Sequence, residues 1–201
     1  MQDNKLHQHL KKNVCQHASR PALQCVQYHE DGSLRATDSH VMLRINNFHA
    51  IGQTLLQDVR TLEFKDVNYP DTDNHFVKKN NPNKLRISLS VFKRILTALK
   101  EGSFSNIVTL HLNPEKVEIT NNQSNSEVPI SIIVGCKYEG ESMEISFSAE
   151  NLLKMVNFML DAKQRYAVDD IDIFIGSAIR PVIAELEEGK YQFIVTSVRT
   201  R

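Results

Sequence analysis

The sequence predicts an α+β protein built from repeated β-α-β-β-β units, with helices on one face of antiparallel sheets. Three observations carry this expectation. Apolar residues recur at helical spacing in three short stretches, 4–18, 91–100 and 148–159. Strand-like runs follow each of them, many joined by tight turns, an Asn-Pro turn or Gly-containing ones such as Asp-Gly, that suit antiparallel neighbours. After residue 84 the order β-α-β-β-β occurs twice, although the two halves share little sequence.

Along the chain, "NKLHQHLKKNVCQHA" places Leu6, Leu10, Val14 and Ala18 on one stripe, so a helix is expected over 4–18 and Arg20-Pro21 should stop it. "ALQCVQYHEDGSLRATD" reads as a hairpin turning at Asp31-Gly32, and "VMLRI" as a third strand. The pattern weakens from 46 to 82. "LLQDVRTLEF" suits a short helix or a strand, and "NYPDTDNHFVKKNNPNK" is turn-rich enough for an interdomain linker. "LRISLS" leads into a helix capped by Ser88 or Ser90, with Val91, Phe92, Ile95 and Leu99 inward and Lys93, Thr97 and Lys100 outward. "NIVTLHL", "KVEITN", "VPISIIVGCKY" and "MEISF" are strands. Ser148 caps a third helix whose core stripe is Leu152, Met155, Val156 and Met159, with Lys154 on its far side. "DIDIFIG", "AIRPVIAEL" and "KYQFIVTSV" are the last strands.

Composition narrows the function classes. The 201 residues are 41% hydrophobic and 24% charged, ordinary for a globular protein with a real core. The 24 basic and 24 acidic residues cancel, so binding to nucleic acid must come from charges segregated onto one face. No apolar run approaches the roughly 18 residues that span a bilayer, and "MQDNKLHQHLKK" is too polar for a signal peptide. Cys15, Cys25 and Cys136 are widely spaced and form no C-x-x-C, which suits reduced thiols in a cytoplasmic protein without membrane association.

Asp38, Ser39 and His40 stand side by side, but neighbours on a strand point to opposite faces and cannot form a nucleophile–base–acid relay. No G-x-S-x-G elbow accompanies them. His7 and His9 are two apart on a helix, too far around it to share a metal ion, and no H-x-x-x-H occurs. The seven glycines form no phosphate-cradling loop, so no cofactor is expected. Lys5, Lys12, Lys93, Lys100 and Lys154 each stand opposite the core stripe of their helix. That is ordinary for a solvated face, and it is also how helices track phosphates without reading bases.

At this point a family resemblance enters. "SRPALQCVQYHEDGSLRATDSHVMLRI" resembles the opening of the middle domain of the bacterial β sliding clamp, the processivity subunit of the replicative DNA polymerase. "VNYPDTDNHF" is similar to the Phe/Tyr-Pro-Asp-Tyr segment preceding the next domain of that family. "MEISFSAENLLKMVNFM" and "IRPVIAELEEGKYQFIVTSVRT" resemble the second half of its last domain and its ending.

The resemblance implies a DNA-clamp fold, with an abbreviated clamp-like domain over 1–80 and a complete one over 84–201. It implies helices facing duplex DNA through Lys5, Lys12, Lys93, Lys100 and Lys154, independently of sequence. It also implies a cleft for short peptide motifs of a DNA polymerase or other DNA-handling proteins. Carried over, that cleft involves Thr37, Ser39, His40, Met42, Ile194, Thr196, Ser197, Val198 and Arg199. The chain departs from the family in lacking the first domain and in shortening the stretch between Ile45 and Leu62, so that the family's second helix is expected to have shrunk or gone. Val41 stands where clamps carry Arg, and Thr196-Ser197 replaces a Met-Pro pair. A closed ring would need a homo-oligomer of three or more copies. The expected function is a non-enzymatic DNA-tracking platform or processivity factor. The alternatives are a clamp-derived module that docks or blocks partners without encircling DNA, and an α+β enzyme of another type.

Overall fold

The computed structural model describes residues 1–102, 105–121, 129–163 and 169–199. The first helix, α1, spans Asp3–Asn13 and is shorter than its apolar stripe suggests. The Asn13 side-chain amide donates to the His9 carbonyl, and Gln16 caps the carbonyls of Lys11 and Val14. The chain then runs extended, so that Val14 and Cys15 are both buried while Ala18 stays exposed. A continuing helix would have carried Cys15 away from the Val14 face. Pro21 opens a 3-10 turn instead of ending the helix.

Four strands follow: β1 (Cys25–Tyr28), β2 (Leu34–Thr37), β3 (Val41–Ile45) and β4 (Leu55–Asp58). The β1–β2 turn needs Gly32: its φ is +83°, and a Cβ there would meet the His49 carbonyl at 2.8 Å. Residues 38–40 form a tight turn between β2 and β3 rather than a strand end, with Ser39 in the left-handed region. Between Ile45 and Leu62 the structure has β4 and no helix.

The later elements are β5 (Asn83–Ser88), α2 (Leu89–Glu101), β6 (Ile107–Asn113), β7 (Lys116–Asn121), β8 (Ser131–Val134), β9 (Lys137–Glu139), β10 (Met143–Ser148), α3 (Ala149–Ala162), β11 (Asp170–Ile175), β12 (Val182–Leu186) and β13 (Tyr191–Val195). Ser88 and Ser148 are the N-caps, accepting from the amides of Val91 and Asn151. Beginning at Leu89, α2 buries Leu89, Phe92, Ile95, Leu96 and Leu99, which turns Val91 outward to 43% exposure rather than inward. "VPISIIVGCKY", one run in the sequence, is two strands in different sheets, with Gly135-Cys136 as the break.

The repeat is visible in the pairing. One sheet has nine strands in the order β4-β1-β2-β3-β13-β12-β11-β5-β9, the other four in the order β10-β6-β7-β8. Each repeat lends its first strand to the other: β5 pairs with β11, and β10 with β6. The two repeats are therefore interlocked. Helices α2 and α3 pack on each other and on both sheets, while α1 packs on α3. No described helix is long and apolar enough to cross a membrane.

The nine-stranded sheet is continuous because β3 pairs with β13 over five residues, from Val41↔Val195 to Ile45↔Tyr191. Side-chain alternation sorts this seam. Val41, Leu43 and Ile45 with Val195, Phe193 and Tyr191 join the main core under the helices. Met42 and Ile194 face the other way, into a small cluster with Phe76 and Ile183. Phe193 is fully buried and lies 5.8 Å from the Phe158 ring of α3. Phe193→Ala is therefore expected to cost about 3–5 kcal/mol in urea unfolding. A loss below about 1 kcal/mol would contradict a core placed at the seam.

Candidate partner-peptide cleft and basic helical face

The seam also builds a cleft. On the sheet face away from the helices, β3 and β13 provide Met42 and Ile194, with Val41 at the start of β3; β2 provides Thr37 at its end, and the adjoining turns provide Ser39, His40 and Thr196. The opposite wall comes from the turn-rich segment after β4, through Pro70, Asp71, Thr72 and His75, and Leu23 and Pro181 complete the lining. The enclosed volume is about 300 Å³, and the lining is largely apolar.

Six of the nine residues expected in the cleft line it: Thr37, Ser39, His40, Met42, Ile194 and Thr196. Ser197, Val198 and Arg199 do not. After Thr196 the chain leaves the nine-stranded sheet, and the Val198 amide donates to the Ser146 carbonyl of β10 at 2.7 Å. The wall residues Pro70, Asp71, Thr72 and His75 were missed because their segment has no strand or helix period. The Tyr69-Pro70-Asp71 pattern within it was the available signal.

The Asp38–His40 turn is held from both sides. Asp38 Oδ1 accepts from the amides of His40 and Val41, and Oδ2 accepts from Lys154 Nζ of α3 at 3.0 Å. Ser39 Oγ accepts from Arg20 Nη1 at 3.0 Å, and Thr196 donates to the His40 carbonyl through both its amide and its hydroxyl. Asp38 and Ser39 are thus committed to different partners, and no relay joins them to His40.

The wall segment hangs on Arg35, which is 1% exposed. Its guanidinium donates to Ser33 Oγ, Thr72 Oγ1, Asp73 Oδ1 and Asp31 Oδ2, and contacts His29 Nδ1 at 3.1 Å. Asp31 Oδ2 also accepts from Arg44, whose guanidinium lies 5.0 Å over the Phe76 ring. The Tyr69 hydroxyl is buried with no partner among the described residues.

The helical face is basic but not uniformly free. Lys5 pairs with Asp161, which also holds His9, and Lys154 pairs with Asp38. Lys12, Lys93 and Lys100 are exposed and enter no ion pair among the described residues. Lys12, Lys100 and Lys154 border one groove of about 530 Å³ with His9, Asn13, Gln16 and Glu150, while Lys5 and Lys93 lie outside it. No three described His, Cys, Asp or Glu residues converge as a metal site.

Burial works to raise the Asp31 carboxyl, but hydrogen bonds from Ser33 and the Arg35 charge outweigh it and hold it well below the usual carboxylate range. A depressed folded-state pKa gives stability that is complete above the unfolded value near 3.9 and is lost as pH falls below it. Asp31→Asn is therefore expected to lower the melting temperature at neutral pH and to flatten the decline between about pH 5 and 2. An unchanged acid limb would contradict the carboxylate's role.

No protein-family model and no curated protein matches the sequence. Solved structures do. The β sliding clamp of C. crescentus superposes with a TM-score of 0.81 at 15% identity, covering 98% of this chain and 64% of that one. The DNA polymerase III β subunit of Thermotoga maritima gives 0.82 at 12%, covering 98% and 64%. The β subunit of the Streptococcus pyogenes DNA polymerase gives 0.80 at 18%, again covering 98% and 64%. The chain thus spans just under two thirds of the length of these structures, and over that span it has the α+β fold of the DNA clamps.

Proposed function

We propose that this chain is a non-enzymatic, sliding-clamp-like platform that tethers a DNA polymerase or another DNA-handling protein to duplex DNA. The observation that carries the reading is the apolar cleft at the β3–β13 seam, in a fold that superposes on β clamps over 98% of its length. A short extended peptide can bury apolar anchors against Met42 and Ile194, while His40, His75 and the threonines at the rim meet its polar groups. The helices present lysines on the other face, suited to phosphates rather than base edges. In this reading residues 1–80 and 84–201 correspond to an abbreviated and a complete clamp domain.

A second reading has its own support. Two of the five DNA-facing lysines, Lys5 and Lys154, are already held by carboxylates. A monomeric module that docks or blocks partners without encircling DNA fits this engagement of the lysines. Light scattering separates the two, since a ring requires a stable symmetric assembly.

Replacing Lys12, Lys93 and Lys100 with Gln is expected to weaken binding to a short duplex regardless of its sequence. The slope of log affinity against log salt should become shallower by roughly 0.9 for each phosphate that is no longer neutralised. Lys5→Gln and Lys154→Gln should change it less, because their charges are already engaged. An unchanged slope in the triple variant would leave those lysines as solvated surface.

Calorimetry with a hydrophobic clamp-binding peptide tests the cleft. Met42→Ala should weaken binding about tenfold, or 1–2 kcal/mol, and also lower stability, since Met42 belongs to the small apolar cluster. Val198→Ala, outside the cleft, should bind like the unaltered chain. Equal effects of the two substitutions would place the peptide elsewhere.

A further inference from the structure

We propose that Arg35 is the positioning residue of the cleft: it holds the strap of residues 69–76 against the outer face of the sheet, and the wall exists only while that hold lasts. This rests on the reading of the cleft as a peptide site, yet the hold itself can be tested without a ligand.

The two sides of the cleft are secured by different physics. The floor belongs to the sheet, where Met42 and Ile194 are opposed in a five-residue ladder. The strap belongs to no strand, and among the described residues no backbone hydrogen bond ties 69–76 to the sheet. Its amide contacts stay inside it, as in His75 N to Thr72 O and Asp73 N to Asp71 Oδ1. Side chains hold it instead, among them Tyr69 at its start, whose hydroxyl is buried. Phe76 enters the apolar cluster with Met42 and Ile194 at one end of the strap. Arg35 grips the middle, donating from Nη1 to Thr72 Oγ1 at 3.0 Å and to Asp73 Oδ1 at 2.7 Å.

The chemistry calls for arginine. Five directed contacts radiate from one planar group: Nε to Ser33, Nη1 to Thr72 and Asp73, and Nη2 to Asp31 and His29. The hairpin turn fixes the guanidinium on one side through Asp31 and Ser33, leaving Nη1 aimed at the strap. Thr72 is itself a wall residue, so the grip acts on the cleft lining directly. Arg35 does not line the cleft, and its effect on a ligand passes through Pro70, Asp71, Thr72 and His75.

Arg35 is too buried for its removal alone to be informative, so the test works from the strap. The Asp73 side chain is 59% exposed and lies outside the cleft lining, which keeps the fold intact when it is changed. Asp73→Ala is compared with Asp73→Asn, which keeps an acceptor oxygen in place. Hydrogen exchange and peptide calorimetry are run on the full chain. In Asp73→Ala the amides of 69–76 should exchange about fivefold faster and the peptide bind about three- to fivefold more weakly, the loss expected for a partly exposed charged hydrogen bond. The β3 and β13 amides should keep their protection, and Asp73→Asn should restore most of both effects. Unchanged strap exchange in Asp73→Ala overturns the proposal, as does faster exchange with unaltered peptide affinity. If the unaltered chain binds no peptide while the strap still loosens, the peptide-site reading falls and the hold of Arg35 on the wall stands.

Discussion

The pairing of β3 with β13 is the constraint on which the rest of the structure depends. It joins strands from the two ends of the chain, since Val41–Ile45 meets Tyr191–Val195. Without it the nine-stranded sheet would be two smaller sheets. Its register also decides which side chains face which way. A slip of one residue would exchange Leu43 and Phe193, now under the helices, for Met42 and Ile194, now in the cleft floor. Core and candidate site are fixed by the same five residue pairs.

Because both faces of this seam are covered, "VMLRI" and "YQFIV" read as nearly unbroken apolar runs rather than alternating ones. The helical face is covered by α3 and α1 through ordinary apolar packing. The outer face is covered by the strap, whose hold is largely polar. Around it the charged groups form one connected set: Asp31 bridges Arg35 and Arg44, and Arg35 reaches Asp73. Such a set is well suited to fixing one position of a segment that has little apolar area of its own. The turn at Asp38–His40 follows the same logic, with Lys154 and Arg20 reaching it from the helical side. The basic face and the cleft therefore share one turn.

The elements legible in the sequence are those whose signal is local. Ser88 and Ser148 announce helices, Asp31-Gly32 announces a hairpin, and Leu152, Met155, Val156 and Met159 mark a buried stripe. What was misread depends on distant partners. Helix α1 ends at Asn13 because the core takes Val14 and Cys15 as extended chain, which the spacing of Ala18 cannot reveal. Val91 turns outward because β5 feeds α2 at Leu89. The run after Pro129 divides because Ser131–Val134 and Lys137–Glu139 join different sheets. In the candidate cleft, the resemblance points to Met42 and Ile194 of β3 and β13, and both line the pocket. Ser197, Val198 and Arg199, which the resemblance also places in the cleft, do not line it, since the tail turns to β10 after Thr196. The strap left almost no periodic signal. Its anchor, Arg35, looked in sequence like an ordinary polar position on a strand, and only its burial reveals its five contacts.

If the β3–β13 seam and the strap together form a site for a peptide, both sides of the cleft must respond when one binds. The most direct measurement is a titration of the isotope-labelled chain with a hydrophobic clamp-binding peptide, following backbone amide chemical shifts. Saturable shifts are predicted in residues 37–42, 71–76 and 194–196, with α2 and the β6–β7 hairpin unmoved. Saturable shifts confined to another surface, or none at peptide concentrations that saturate a β clamp, would contradict the peptide site.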